Sequence, residues 1–287
     1  MDNQVIYAVR DVSYGYPGGF PALERVSLQI CAGERVAILG ANGSGKSSLL
    51  RLLDGLAFPS SGTVSAFDEV LSEAAFQSDA FNFAFRRRVG LVFQDSDVQL
   101  FSPSVWEEVA FAPLQLGMSG EQVGARVESA LEALHLIGLR DRAPHRLSGG
   151  EKKRVALASI LSLAPQVWLM DEPTAGLDPR SQAWLEDFIL DQSDSGKTVI
   201  LATHDLEFAA AVAGRVYVFS EDHHLAGEGA PEQVLADHAL LAACNLVHEH
   251  AHRHPGETLP HRHPHQHGLS HTHTHDAAEG DRQAPSH

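Results

Sequence analysis

Residues 40–47 read GANGSGKS, which fits the pattern G-x-x-x-x-G-K-[ST]. An apolar run at 35–39 precedes the loop, and a helical pattern, SSLLRLLDGL, follows it. This order of strand, glycine loop and helix leaves the chain little freedom. The loop must turn sharply from a buried strand into a helix N-terminus, with its backbone amides facing outward. Glycines allow the backbone to approach a phosphate closely, and the amides and helix N-terminus then supply favourable partial charge. The pattern predicts a phosphate cradle formed by Gly40, Ala41, Asn42, Gly43, Ser44, Gly45, Lys46, Ser47 and Ser48. Lys46 would meet the β- and γ-phosphates, and the Ser47 hydroxyl would ligate Mg²⁺.

A second signal lies far downstream. The apolar run 167–170 ends in Asp171-Glu172. Ligands in open α/β sheets sit at the C-terminal ends of the strands, so this acidic pair belongs beside the glycine loop. Asp171 is then placed to hold Mg²⁺ and Glu172 to act on an attacking water as general base. Alone, an acidic pair at a strand end would be read as solvated charge; its pairing with the loop gives it a role.

Short β-rich runs at 26–30, 35–39, 89–93, 167–170, 199–202 and 216–219 alternate with helical patterns. The helices are predicted near 46–55, 104–115, 121–137, 149–163, 179–193 and 205–213. Such alternation implies a mostly parallel sheet. The stretch 95–164 reads as nearly all helix, a helical subdomain inserted between two strands. Residues 1–245 form the predicted folded domain. Residues 246–287 are rich in His, Pro and Gly with few aliphatic side chains, so they are expected to be disordered.

Composition narrows the partners. The 37 acidic and 21 basic side chains leave a formal net charge of −16, which argues against nucleic acid. Two cysteines, Cys31 and Cys244, cannot supply a disulfide framework. No run approaches 18 uncharged apolar residues, and the opening MDNQVIYAVRD lacks a basic-then-apolar leader, so neither a membrane span nor a secretory signal is expected. Histidine is in excess: of 18, 12 lie beyond residue 245.

Residues 147–151 read LSGGE. Ser148 and Glu151 have capping-box spacing, while Gly149 and Gly150 leave a helix N-terminus bare for a phosphate. A glycine loop, an LSGGE and a strand-borne DE pair in this order resemble the ABC ATPase family. That resemblance covers roughly residues 4–240 and implies a P-loop (RecA-like) α/β core with an antiparallel β subdomain and an inserted α-helical subdomain. It implies that Gln94 is the Q-loop glutamine, a catalytic and Mg²⁺-sensing residue. It also implies that Asp178, in AGLDP, is the D-loop aspartate and that His204, in LATHD, contacts the γ-phosphate. Tyr16 resembles the aromatic that stacks on adenine, with Tyr14 a competing choice. The implied cofactors are ATP and Mg²⁺. In the family, two such domains close head-to-tail, so Leu147, Ser148, Gly149, Gly150 and Glu151 would cap the ATP of another copy. The implied assembly is a homodimer, or a heterodimer with a similar ATPase.

The stretch after Gln94, DSDVQLFSPSVWEEVAFAPLQLG, resembles energy-coupling-factor transporter ATPases, which serve vitamins and transition-metal ions. The resemblance implies a transmembrane coupling protein, a membrane substrate-binding subunit and a peripheral position on the cytoplasmic face of the membrane. Asp95, Asp97 and Gln99 are expected to be the exposed docking residues, while Val105, Val109 and Leu114 could be core. In the tail, His248, His250, His252 and His254, then His261, His263, His265 and His267, then His271, His273 and His275 recur at alternate positions. Alternation puts imidazoles on one face of an extended chain, and neutral imidazole ligates Ni²⁺, Co²⁺, Zn²⁺ and Cu²⁺. The combined resemblance is to cobalt/nickel importer ATPases. A zinc or vitamin importer and a soluble, ATP-switched metal-binding regulator are the alternatives, and a tail without a metal role stays open.

Overall fold

The computed structural model of the chain describes residues 4–252 and 261–266, with side chains described for 4–247. Two long strands, β1 (Val5–Tyr16) and β2 (Phe20–Cys31), open the fold as an antiparallel pair. β3 (Arg35–Gly40) then leads into α1 (Lys46–Leu53). β4 (Ser61–Ala66) and β5 (Glu69–Val70) return to β1, giving an antiparallel sheet in the order β2-β1-β4-β5. The run 26–30, read from sequence as one of the alternating strands, therefore belongs to β2 of this separate sheet. Two short helices, α2 (Glu73–Phe76) and α3 (Asp79–Arg86), precede β6 (Val89–Val92).

From β6 to β7 (Val167–Asp171) the chain is helical, with α4 (Ser96–Gln99), α5 (Val105–Gln115), α6 (Gly120–Ala133) and α7 (Gly149–Leu161). Then follow α8 (Pro179–Asp194), β8 (Thr198–Thr203), α9 (Leu206–Val212), β9 (Arg215–Phe219) and β10 (Leu225–Gly229). Two helices close this part, α10 (Pro231–Ala236) and α11 (His238–Ala243). The second sheet has the order β10-β9-β3-β8-β7-β6; its members are parallel except for the edge strand β10.

Period-2 alternation divides the inner strands between two cores. In β3, Val36 and Ile38 face α1 and the antiparallel sheet, while Ala37 and Leu39 face the helices on the other side. β7 repeats this with Val167 and Leu169 against Trp168 and Met170. Both faces are covered, which is why these strands are continuous apolar runs.

The order β3-β8-β7 is what builds the site. Three adjacent parallel strands end together, bringing the loop after β3, Thr203–His204 after β8 and Asp171–Glu172 after β7 to one edge.

β11 (Val247–His252) and β12 (His261–Gln266) pair antiparallel, because alternating sequence offers two matched extended segments. Residues 253–260 and 267–287, including His254, His267, His271, His273 and His275, lie outside the described residues.

Leu157 is fully buried in α7, within the core shared by the helical segment and the sheet. Leu157→Ala is expected to lower unfolding free energy by about 2–5 kcal/mol, read from the denaturant midpoint at constant m-value. Phe101 is 64% exposed, and its replacement by Ser is expected to change stability by less than about 0.5 kcal/mol.

Candidate nucleotide-hydrolysis site

Lys46 opens α1 and is 5% exposed. Its Nζ donates to the carbonyls of Gly40 at 2.8 Å and Ala41 at 3.1 Å. It also lies 3.5 Å from Glu172 Oε1. Burial draws its pKa down, partly offset by Glu172 and Asp171. An ammonium held only by loop carbonyls and one carboxylate can be redirected to an anion entering the loop.

The loop has the form such an anion needs. Gly45 adopts φ +106°, and a Cβ there would run into the Ala22 carbonyl oxygen. Gly43, at φ +85°, has open space where a side chain would stand. The Ser44 hydroxyl is buried without a partner. Glycine geometry, an open face and an orphan hydroxyl together fit a bound phosphate.

Ser47 Oγ donates to Asp171 Oδ1 at 2.9 Å. Burial raises the Asp171 pKa, with the Ser47 hydrogen bond opposing it. These two oxygen donors suit a hard cation such as Mg²⁺, whose charge would offset the cost of keeping Asp171 ionised.

Glu172 is the hub. It is 5% exposed, sits at φ +41°, and its amide donates to the Ala202 carbonyl at 2.8 Å. Its Oε2 lies 3.0 Å from His204 Nδ1 and accepts from Thr203 Oγ1 at 3.3 Å. A non-glycine residue at positive φ costs energy and persists only where its surroundings enforce it. Here the strand-end hydrogen bond and three side-chain partners hold the carboxylate at the edge of the loop. Sequence reading found Glu172 and His204 but missed Thr203, which ties them together.

Tyr16 and Tyr14 both lie at the end of β1. The Tyr16 hydroxyl is 2.9 Å from Ser48 Oγ and accepts from Arg51 Nη1 at 2.9 Å, joining it to α1. Tyr14 packs edge-to-face on Tyr16 with ring centroids 5.3 Å apart.

The remaining candidates lie apart from this cluster. β6 ends at Val92, two residues before Gln94, whose side chain is exposed. Ser148 and Glu151 form the expected capping box, with Ser148 N donating to Glu151 Oε2 at 2.7 Å. That bond holds the Glu151 carboxyl below its usual range. Leu147 is buried, Ser148 and Gly149 are exposed, and Gly150 lies beside Ser181. Asp178 is exposed and caps α8, accepting from Ser181 N at 2.8 Å. Among the residues with described side chains, no group of three His, Cys, Asp or Glu could hold a metal.

One docking expectation is corrected. Gln99 is turned inward: it accepts from Phe93 N and donates to the Ala156 carbonyl and Ser159 Oγ. Of the three residues that could be core, Val105 and Val109 are fully buried and Leu114 is 51% exposed. Asp95 caps α4, and Asp97 pairs with Lys152 at 2.6 Å. Both aspartates are exposed, as expected, and beside them stand the exposed apolar side chains of Val98, Phe101, Phe111 and Leu114.

Sequence reading also passed over Lys153. It is 3% exposed, and its Nζ donates to the carbonyls of Phe93 at 3.3 Å and Gln94 at 3.1 Å. With Asp97–Lys152 and the Gln99 bonds, it ties segment 93–99 to α7, so Gln94 and the LSGGE helix are linked mechanically.

A sequence model of the family described as "ABC transporter" matches residues 23–175. The chain is 50% identical over 244 residues to the nickel import ATP-binding protein NikO of Rhodobacter capsulatus, covering 84% of this chain and 95% of that protein. It is 46% identical over 241 residues to the cobalt import ATP-binding protein CbiO of the same organism, covering 84% of each. It is 42% identical to the energy-coupling factor transporter ATP-binding protein EcfA of Methanothermobacter thermautotrophicus, over 83% of this chain and 75% of that one. Among solved structures, cbiO1 of Clostridium perfringens, part of the transporter complex cbiONQ, superposes with TM-score 0.72 at 35% identity. That match covers 85% of this chain and 95% of that one. A dimeric ATP-binding cassette bound to ADP and Pi superposes with TM-score 0.71 at 28% identity, over 79% and 99%.

Burial holds the Lys153 ammonium at about 8, below its ordinary value of 10.5. Between those values the unfolded chain binds more protons than the folded one, so stability rises with pH across that window. Lys153→Met is expected to flatten that rise, by no more than about 3 kcal/mol, in denaturant midpoints compared at pH 7.5 and 10. An unchanged difference would remove Lys153 from the ionised core. With its P-loop cradle, its Lys46–Glu172–His204 chain and its relatives, this chain belongs to the ABC transporter family, as an ATP-hydrolysing subunit of the energy-coupling-factor type.

Proposed function

We propose that this chain is the ATP-hydrolysing motor of a membrane importer for cobalt or nickel ions. The observation that carries the motor reading is the buried carboxylate of Glu172, held between Lys46 and His204 at the rim of the phosphate loop. The similarity to relatives named for nickel and cobalt import supports the choice of ion.

The roles follow from position. Tyr16, tied to α1 through Ser48 and Arg51, offers its ring to adenine. The loop amides of residues 40–48 surround the phosphates, and Lys46 leaves its carbonyl partners for the β- and γ-oxygens. Mg²⁺ would be held by Ser47 and Asp171, with Gln94 joining when segment 93–99 moves in; it would neutralise charge developing on the phosphates. Glu172 Oε2 accepts a proton from the attacking water as that oxygen bonds to the γ-phosphorus and the bridging oxygen leaves with ADP. His204, its Nδ1 engaged with Glu172, turns its other nitrogen to a γ-phosphate oxygen.

The bare N-terminus of α7 and Asp178 serve a second copy. Ser148 and Gly149 are exposed, with Gly150 half-buried behind them, so two chains, identical or similar, would each close the other's site. ATP then favours the closed pair and ADP the open one, because only ATP bridges the two surfaces. The apolar surface of Val98, Phe101, Phe111 and Leu114 faces a transmembrane coupling protein, and α7 shares its movement through Lys152 and Lys153. A membrane substrate-binding subunit reads the ion. No helix among the described residues is long and apolar enough to cross a membrane, so the span comes from partners at the cytoplasmic face.

In vesicles holding this chain and its membrane partners, Co²⁺ or Ni²⁺ uptake is expected only with ATP. Glu172→Gln is expected to bind ATP but lose about a hundredfold or more of hydrolysis and uptake. Undiminished uptake by that variant would overturn the mechanism. ATP-driven uptake of another solute, with none of either ion, would overturn the choice of cargo.

A further inference from the structure

The turn between β1 and β2 carries an aromatic ring with no part in the hydrolytic reading. Gly18 and Gly19 take φ +101° and +84° in this turn, and Gly19 N donates to the Tyr16 carbonyl at 3.2 Å. The chain so reversed sets Phe20 directly opposite Tyr16. Directly opposed residues of an antiparallel pair share a face, with Cβ atoms about 5 Å apart. Phe20 therefore belongs to the Tyr16 face, yet it is 70% exposed. A Cβ at Gly18 would stand 3.3 Å from the Phe20 ring, so glycine there leaves the ring room beside the turn.

Tyr16 and Phe20 line one cavity of about 550 Å³, with Leu23 in its wall. Two observations join that cavity to the phosphate loop. A Cβ built on Gly45 would stand 2.9 Å from Leu23 Cδ2 and would run into the neighbouring Ala22 carbonyl oxygen, so the start of β2 lies against the loop. The Tyr16 hydroxyl is 2.9 Å from Ser48 Oγ and accepts from Arg51 Nη1 at 2.9 Å, which pins the phenol end to α1 while the ring borders the cavity. Tyr14 packs edge-to-face on Tyr16 and against the core, so it braces the platform. A nucleotide with its phosphates in the loop therefore has this cavity beside it for its base.

We propose that Phe20 determines nucleotide affinity: its ring closes over the base that rests on Tyr16 and gives that base a second aromatic wall. An exposed side chain changes rotamer within nanoseconds, so the ring is free to swing from the turn onto a base. The gain is hydrophobic and dispersive, since a ring now in water is covered by a flat π surface. Every base has such a face, so the wall strengthens any nucleotide and does nothing for a polyphosphate without a base. Removing one stacking ring weakens binding by about 5- to 150-fold. The base lies far from the bond that breaks, so the contact is the same before and during reaction and acts on KM. The proposal rests on reading Tyr16 as the base platform and residues 40–48 as the phosphate cradle, and it is independent of which solute the membrane partners carry.

The test uses the full chain with Mg²⁺ and two probes, ADP, which is not hydrolysed, and inorganic tripolyphosphate, which has no base. Calorimetry reads the affinity for each in wild type, Phe20→Ala, Phe20→Tyr and Tyr16→Ala. Phe20 is exposed, so its truncation leaves the fold intact. Phe20→Ala is expected to bind ADP about fivefold or more weakly and tripolyphosphate as wild type does. Phe20→Tyr, which keeps a ring, is expected to restore ADP affinity, and Tyr16→Ala to lose it. Unchanged ADP affinity in Phe20→Ala, beside a loss in Tyr16→Ala, would overturn the proposal and leave the Tyr16 platform standing. Equal weakening of ADP and tripolyphosphate in Phe20→Ala would overturn it too, because the loop and not the base would then be affected; so would a loss that Phe20→Tyr does not repair. Unchanged ADP affinity in Tyr16→Ala would overturn the platform reading itself and, with it, the two-walled site.

Discussion

The structure turns on one buried carboxylate. Glu172 sits 5% exposed at the end of β7, with Lys46 on one oxygen and His204 and Thr203 on the other. A charge so placed is costly unless partnered, and removing one partner strands the others. The sheet order β3-β8-β7 exists in effect to supply those partners, since Lys46 follows β3 and both Thr203 and His204 stand at the end of β8. The two apolar cores hold the strands in register, and the register holds the carboxylate within reach of the loop.

A second linkage joins this rigid edge to the helical segment. Lys153 holds the carbonyls of Phe93 and Gln94, Lys152 holds Asp97, and Gln99 reaches Ala156 and Ser159. Gln94 and the LSGGE helix therefore share one body. On the proposed reading, a change felt by Gln94 at the nucleotide would pass to α7 through these bonds, and a load on the exposed apolar surface of α4 and α5 would pass back. This is a physical basis for coupling hydrolysis to a partner, because packed elements switch between arrangements rather than deform continuously.

Much of this was legible in the sequence, for local reasons. The glycine loop between an apolar run and a helical pattern announces its own fold, and the acids after 167–170 mark a strand end. Residues whose roles come from distant partners were not legible. Lys153 reads as one more cation in KKR until Phe93 and Gln94 are brought against it. Gln99 reads as exposed in a polar stretch until α7 offers its Ala156 carbonyl and Ser159 hydroxyl. β1 escaped because register shifts interrupt its alternation. Leu114 shows the limit of helical periodicity, which marks an apolar position without saying whether the protein or a partner covers it.

The central claim is that Lys46, Ser47, Asp171 and Glu172 form one nucleotide-hydrolysing unit. It is tested most directly by a crystal structure of the Glu172→Gln protein with ATP and Mg²⁺. The account predicts that Lys46 Nζ leaves the Gly40 and Ala41 carbonyls for the β- and γ-phosphates. It predicts that Ser47 Oγ leaves Asp171 for the metal, with uncleaved ATP in the loop. ATP bound elsewhere, with Lys46 and Ser47 still on their present partners, would contradict it.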